Sequence, residues 1–200
     1  MTDVQIAAAS DISWLRLPAA PLTPTVRQSL TATVASIGYI RHQQNVVAHR
    51  PALLTATAAL AEAVLRDPEG ALSLRERELI ALVVSAENRC DACVIAHTAA
   101  LRALGADELW AEQVAINYRR AELTPRERAL ADYALKVTRA ANEVEPGDLD
   151  AVRATGVPEE GLLEAVAVAA FFNLTNRLNS GLGIQANREA HESHRGKVPA

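Results

Sequence analysis

Two stretches of this sequence match each other at one constant spacing, and this internal repeat limits the fold more than any other feature. The first match pairs LSLRERELIALVVSA at Leu72 with LTPRERALADYALKV at Leu123, and the second pairs GADELWAEQVAI at Gly105 with GVPEEGLLEAVAV at Gly156. Both matches have an offset of 51 residues. A repeat at a fixed offset is typical of a duplicated supersecondary unit. We therefore predict two related units, at about residues 72–122 and 123–183.

The local signals within these units are helical. Ser73 with Glu76, and Thr124 with Glu127, have the spacing of a capping box at the start of a helix. Pro51 can open a further helix before the first unit. Half of the residues are apolar and only 4% are aromatic, with Ala, Leu and Val in the majority, which favours helices over sheets. No segment predicts a strand, so we expect an all-α bundle.

The whole chain is predicted to divide into an N-terminal arm, one domain that contains both units, and a C-terminal tail. Residues 1–24 contain three prolines and are predicted to form an extended N-terminal arm. Residues 25–185 form a single helical domain with a helix break at Gly38, and residues 186–200 form a polar, frayed tail. Ala-rich helices with few aromatic residues leave apolar faces that one small chain can hardly cover. We therefore expect a homo-oligomer.

Charge and hydropathy exclude several classes of protein. The net charge is −4 and the sequence contains no basic patch, so we expect no nucleic-acid partner. No apolar run reaches the roughly 18 residues of a membrane span. The opening residues lack the charged start and long apolar run of a secretion signal, so we expect a cytoplasmic protein. Thiols are reduced in that compartment, which argues for a reactive or metal-binding role of the cysteines over a structural disulfide.

The candidate functional residues lie in NRCDACVIAH, which contains both cysteines of the chain. Cys90, Cys93 and His97 have i, i+3, i+7 spacing, which places both sulfurs and the imidazole on one stripe of one helix. Cys90 is predicted in the first turn of that helix. The unpaired N–H groups and the positive end of the helix dipole favour a thiolate there.

The preceding helix supplies a fourth candidate, Glu78. Its position falls between Leu74 and Leu82 on an otherwise apolar stripe. A carboxylate that is partly buried in such surroundings needs a partner for its charged form. The helix hairpin is predicted to bring Glu78 to the level of His97, where a carboxyl group can act as a general acid or base beside the thiols.

Two alternatives compete with redox chemistry for these residues. Cysteine is among the most buried residue types, so either thiol can be a packing residue. Zinc can also be held by two thiolates and an imidazole, with Glu78 as a fourth ligand. However, i, i+3, i+7 spacing on one rigid helix does not readily surround a tetrahedral ion, and no second C-x-x-C exists in the sequence.

The spacing of Glu, eleven residues, then C-x-x-C-x-x-x-H resembles the AhpD-like alkylhydroperoxidase family, within the carboxymuconolactone decarboxylase superfamily. AAFFNLTNRLNSGLG also resembles the Phe-Asn-x-x-Asn-Arg segment of its peroxidase-related members. Asn173, Asn176 and Arg177 of this segment are expected to pack or to form an interface. The resemblance implies an all-helical chain that assembles as a trimer or hexamer. The decarboxylase branch lacks the cysteine pair, so lactone decarboxylation is not expected.

The resemblance also implies a function for each candidate residue. Cys93 attacks a hydroperoxide, Cys90 resolves the product as a disulfide, and Glu78 and His97 relay protons. No bound cofactor is implied, and an external dithiol of the lipoyl or thioredoxin type restores the thiols. One departure is Ala92, which occupies the position of a second histidine in the best-known members. It motivates an alternative, a redox-sensing or structural helical oligomer without turnover.

Overall fold

The computed structural model describes residues 4–196 of the chain, and their regular structure is helical. The α-helices are α1 Ala9–Ile12, α2 Pro24–Ile37, α3 His42–Val47, α4 Pro51–Leu65, α5 Leu74–Glu87, α6 Asp91–Ala103, α7 Glu108–Asn117, α8 Pro125–Ala140, α9 Pro146–Arg153, α10 Glu159–Leu182 and α11 Arg188–Glu192. Within that range, β pairing is limited to an isolated bridge between Ala8 and Ala19. The all-α prediction is confirmed, and the predicted break at Gly38 separates α2 from α3.

Helix α5 is the centre of the bundle because it is apolar on nearly every side. Ile80 and Val84 contribute to a core shared with α8 and α10, whereas Leu79 and Leu82 contribute to a second core shared with α6, α7 and α8. All four side chains are 0% exposed. Full burial of one such side chain stabilises a fold by about 1.5–3 kcal/mol. This burial fixes the position of Glu78, which lies on the same helix.

The two predicted units have corresponding helix boundaries. Helices α5 and α8 begin at Leu74 and Pro125, and α7 and α10 begin at Glu108 and Glu159. Each unit starts with the predicted capping box, formed by Ser73 in one and by Thr124 in the other. These correspondences support the duplication, which stays a prediction.

Two ion pairs link the corresponding helices α5 and α8. Nε of Arg75 lies 2.8 Å from Oε1 of Glu127, and Nε of Arg126 lies 2.5 Å from Oε1 of Glu76. Arg75 corresponds to Arg126 and Glu76 to Glu127 at the offset of the repeat. The contacts are therefore exchanged between the two helices, as a local two-fold relation requires.

The N-terminal arm packs against the domain and is not a free extended segment. Ala9 and Ile12 of α1 are buried with Val46 and Ile184. The Trp14 backbone N–H donates to the Leu182 carbonyl at 2.9 Å. The arm therefore lies on the C-terminal end of α10, held there by apolar burial and backbone hydrogen bonds.

The expectation of a frayed tail is wrong for residues 188–193. Helix α11 packs against α6, where Ala190 is 2% exposed. The buried Arg102 guanidinium donates to the carbonyls of Ala190 and Ser193. This segment is stabilised in part by hydrogen bonds to its backbone, which its polar composition does not reveal.

None of the helices described for residues 4–196 combines the length and the apolar content needed to cross a lipid bilayer.

Candidate active site

The turn between α5 and α6 places the first cysteine at a helix start. Arg89 has a φ of 53°, in the left-handed region, and the Cys90 N–H donates to the Ser85 carbonyl at 3.0 Å. Asn88 fixes this turn to α10 by donating to Oδ1 of Asn173 and Oδ1 of Asn176. Cys90 is the N-cap of α6, one residue before the first turn in which it was expected.

Both cysteines are free thiols and are almost fully buried, with exposures of 1% for Cys90 and 6% for Cys93. A hydrogen bond from the Cys93 thiol lowers the pKa of Cys90 to about 6, against the opposing effect of burial. The Cys93 backbone N–H and the side chains of Ser180 and Asn179 lower it further. The same bond to Cys90, together with burial, raises the pKa of Cys93 well above 9.0. The pair thus releases one proton readily and shares the other.

Glu78 and His97 meet beside this pair, as their positions in sequence predicted. Nδ1 of His97 lies 2.6 Å from Oε2 of Glu78. The side chains are 16% and 11% exposed, respectively, so the pair is largely shielded from water. The imidazole also contacts the ring of Phe172 edge-on, at 4.3 Å between centroids. The ring is therefore held on one side by a carboxylate and on the other by an aromatic wall.

The sequence did not identify Asn179, which contacts the sulfur of Cys93 directly. Its Nδ2 donates to Sγ of Cys93 at 3.1 Å. The neighbouring Asn176, predicted to be a packing residue, donates to Ser85 Oγ at 3.1 Å and is 1% exposed. The signal was the recurrence of asparagine every third residue in NLTNRLN, which aligns amides on one helical face.

Arg41 was also missed, because it lies far from the motif in sequence, at the N-cap of α3. Burial lowers the pKa of its guanidinium, as does the nearby Arg66, while Glu78 and Cys93 act in the opposite direction. The Arg41 guanidinium therefore lies within electrostatic range of both Glu78 and Cys93. No spacing rule connects residue 41 to residues 78–97, so tertiary structure was needed to find it.

Within the described part of the chain, no three or more His, Cys, Asp or Glu side chains are grouped as ligands of a metal ion. The four motif residues that were considered as zinc ligands thus lack that arrangement. The four residues form a pair of thiols at a helix start and a carboxylate–imidazole pair one turn along. Helix α10, which carries the asparagine amides, lies across from the thiols. Fold and site together define a helical thiol protein of the AhpD class.

Comparison with known proteins agrees with this class. Residues 51–136 match the model of the carboxymuconolactone decarboxylase family. The structure resembles an uncharacterized peroxidase-related protein from Ralstonia eutropha JMP134, described as an alkylhydroperoxidase AhpD core, with a TM-score of 0.87 and 36% identity over 94% of this chain and 98% of that one. The chain belongs to the AhpD-like, peroxidase-related branch of the carboxymuconolactone decarboxylase superfamily.

Two further structures are similar. An uncharacterized peroxidase-related protein from Silicibacter sp. TM1040 has a TM-score of 0.84 and 34% identity, over 98% of this chain and 100% of that one. A protein of unknown function from Agrobacterium tumefaciens, described as a candidate antioxidant defence protein AhpD, has a TM-score of 0.62 and 25% identity, over 72% and 96%. No curated protein matches the sequence.

Proposed function

We propose that this protein is a thiol-dependent hydroperoxide reductase that cycles through a Cys90–Cys93 disulfide. The observation that carries the proposal is the pair of buried free thiols at the start of α6, followed one turn along by a carboxylate–imidazole pair whose Nδ1 and Oε2 atoms are 2.6 Å apart. A thiolate is the nucleophile for peroxide, and a positioned proton donor makes the alkoxide a better leaving group. Membership of a peroxidase-related family supports the same chemistry.

In the first step, the Cys93 sulfur attacks the terminal oxygen of ROOH. Its thiol proton passes along the shared hydrogen bond to the Cys90 thiolate as the new S–O bond forms. The O–O bond breaks, Cys93 becomes a sulfenic acid, and the alkoxide leaves. His97 protonates the alkoxide to give ROH and recovers a proton from solvent.

Glu78 makes this proton transfer possible by holding the imidazole. With Nδ1–H donated to the Glu78 carboxylate, Nε2 is the atom that gives and takes the transferred proton. The carboxylate also stabilises the imidazolium from which the alkoxide takes its proton and which solvent then restores. Such a carboxylate–histidine arrangement fixes both the tautomer and the orientation of the ring.

In the second step, the Cys90 sulfur attacks the sulfur of the sulfenic acid. The S–O bond breaks, and hydroxide leaves with the proton of Cys90 as water, so that the two sulfurs form a disulfide. An external dithiol then reduces this disulfide by two successive exchanges. A lipoyl group or a thioredoxin-type protein fits this requirement, and no bound cofactor is needed.

Mass spectrometry after a single-equivalent hydroperoxide pulse tests the assignment. The reduced wild-type protein is expected to lose two hydrogen atoms, with peptide mapping placing the bridge between Cys90 and Cys93. Cys90→Ser lacks the thiolate that takes the Cys93 proton, so it is expected to react more slowly and to stop at a Cys93 sulfenic acid, which dimedone traps. Full peroxide turnover by Cys93→Ser would show that the roles are wrong.

The low exposure of the thiols favours a second candidate function, a redox-sensing oligomer without rapid turnover. Cys90 and Cys93 are 1% and 6% exposed as residues, and a thiol buried to this extent reacts slowly with any oxidant that cannot enter the fold. Steady-state peroxide consumption with dihydrolipoamide or thioredoxin separates the candidates. Continuous turnover supports the reductase, whereas a single slow oxidation with a change of assembly supports the sensor.

We propose further that the protein is a cytoplasmic homo-oligomer, a trimer or hexamer. Large apolar side chains are exposed on helices of one chain, including Leu109 at 75%, Ile116 at 83% and Leu163 at 72%. Exposed apolar side chains of this size are typical of interfaces when they are contiguous. Light scattering coupled to size-exclusion chromatography measures the assembly directly, and a monomer would contradict the proposal.

A further inference from the structure

The side-chain amide of Asn179 has a hydrogen-bond partner for its nitrogen but, among the described residues, not for its oxygen. Nδ2 donates to Sγ of Cys93 at 3.1 Å. Oδ1 is buried and has no hydrogen-bond partner within residues 4–196. The residue is only 5% exposed, so water does not readily compensate. A buried carbonyl without a partner is unfavourable, and this orientation must therefore be maintained by a strong requirement for the N–H groups.

The charge on the sulfurs supplies that requirement. When the pair has lost one proton, its remaining thiol proton lies between the two sulfurs. A carbonyl turned toward them would then face negative charge without a donor, whereas the N–H groups form charge-assisted hydrogen bonds. The orientation of Asn179 thus matches the anionic pair better than it matches two neutral thiols or a disulfide.

The neighbours of Asn179 on α10 point to the same function. Asn176, Asn179 and Ser180 form a donor face opposite the cysteines. Asn176 and Asn179 lower the pKa of Cys93, and Ser180 and Asn179 lower that of Cys90. The amide of Asn176 is already bonded to Ser85 and Asn88. Nδ2 of Asn179, by contrast, donates to Sγ of Cys93.

We propose that Asn179 is a catalytic residue whose N–H groups stabilise the reduced, anionic Cys90–Cys93 pair relative to its disulfide. This inference rests on the proposed function, because the pair must cycle between the two states. A dithiol R(SH)₂ reduces the disulfide, giving the cyclic disulfide of R, one protein thiol, one protein thiolate and one released proton. Stabilising the thiolate raises the reduction potential, which makes the oxidised protein a stronger oxidant of its dithiol.

The charged and titratable groups around the pair come from three elements. Arg41 from the start of α3 acts on Cys93, Glu78 comes from α5, and His97 lies on α6 itself. Substitution of Asn179 leaves these groups in place. A change in the titration of the cysteines can therefore be assigned to the amide.

The test measures the reduction potential at pH 7 in dihydrolipoic acid–lipoic acid buffers, and the thiolate titration by ultraviolet absorbance. Asn179→Ala removes the donors, and Asn179→Asp replaces them with an isosteric anion. We expect the ratio of reduced to oxidised protein to fall about tenfold in Asn179→Ala, a potential about 30 mV more negative. Asn179→Asp is expected to shift it further in the same direction, and both variants titrate at higher pH than the wild type.

Asn187→Ala is the matched control, since Asn187 is a buried asparagine that bonds to His42 and Ile40 and not to sulfur. Potentials of both Asn179 variants equal to that of the control would overturn the inference. Opposite shifts of the reduction potential in Asn179→Ala and Asn179→Asp would also overturn it. The inference requires that loss of the donors and addition of a negative charge lower the potential in the same direction. If the wild-type pair forms no reversible disulfide, the proposed function itself is wrong and this inference fails with it. Circular dichroism checks that each variant is folded. If an Asn179 variant is misfolded, Asn179→Ser is measured in its place.

Discussion

The carboxylate of Glu78 and the imidazole of His97, 19 positions apart in sequence, are joined by a hydrogen bond of 2.6 Å between two helices. This contact depends on the turn at Arg89, which reverses the chain so that α6 returns along α5. The burial of α5 on its other sides leaves Glu78 with His97 as its partner. The pair is therefore a product of the helix hairpin and not of any local motif.

Glu78→Gln removes the charge that holds His97 while preserving the shape of the side chain. We expect the rate of hydroperoxide reduction to fall by about 10²-fold, because a general acid–base contribution is typically 10²–10⁴-fold. Disulfide formation at high peroxide should still reach completion, since both sulfurs remain. Stopped-flow oxidation of the reduced protein measures the rate. Glu62→Gln, an exposed carboxylate on α4, serves as the control and should leave the rate unchanged.

The thiol pair predicts a definite dependence of reactivity on pH. Because the pKa of Cys90 is lowered to about 6, alkylation by iodoacetamide should increase through pH 6 and not through pH 9.0. A thiol with a lowered folded-state pKa adds stability above its unfolded value and loses it as the pH falls through the folded value. The free energy of unfolding of the reduced protein should therefore rise between pH 6 and 9.

The oxidised protein provides the comparison for this pH profile. Its disulfide has no thiol to titrate, so its stability should lack that rise over the same range. Alkylation with a midpoint near pH 9.0 in the folded, reduced protein would contradict the hydrogen-bonded pair. Urea unfolding at several pH values, followed by circular dichroism, measures the stability of both forms.

Signals that act within one helix allowed most of the fold to be predicted. The capping residues Ser73 and Thr124 marked helix starts, and Gly38 marked a break. Helical spacing predicted that Cys93 and His97 lie one turn apart on α6, whereas Cys90 lies at the N-cap, one residue before the turn in which it was expected. Their proposed catalytic roles remain predictions. The tail at Ala190 was misjudged because hydrogen bonds from Arg102 to its backbone have no counterpart in side-chain composition.

The part of the site that escaped prediction comes from other elements. Asn179 reaches Cys93 across the bundle, and Arg41 acts from a helix start in another part of the chain. An asparagine on a helix has many packing uses, so its type alone does not predict a sulfur partner. The contact between Asn179 and Cys93 depends on how α6 and α10 pack against each other, and that packing is determined by the whole core.

Arg77 is a buried cation, and removal of its ion-pair partner should destabilise the fold. It is 1% exposed and forms an ion pair with Glu164, with 3.1 Å between Nη2 of Arg77 and Oε2 of Glu164. Glu164→Leu leaves the guanidinium with the Asp67 carbonyl but without the carboxylate of its ion pair, and it also removes the acceptor of the Ala71 and Leu72 N–H groups. We expect a loss of about 3–5 kcal/mol in the free energy of unfolding. Urea unfolding measures it. Glu62→Leu, which breaks an exposed pair on α4, should cost far less, and equal losses would argue against burial as the cause.

The exchanged ion pairs offer a test of the predicted duplication. Arg75–Glu127 and Arg126–Glu76 are related by the repeat offset, so a local two-fold axis gives them similar surroundings. Double-mutant cycles to alanine are expected to give a coupling energy of about 0.5–1 kcal/mol for each, because both pairs are partly exposed.

The comparison of the two coupling energies matters more than their size. A difference below about 0.5 kcal/mol is within the usual error of additivity and supports equivalent environments. A clear coupling in one pair with none in the other would mean that the two helix starts are not equivalent. In that case the matching sequences RER at 75–77 and 126–128 reflect shared helix-start chemistry, not an inherited symmetric unit. Arg153–Asp150, a surface pair outside this relation, provides a baseline for the measurement.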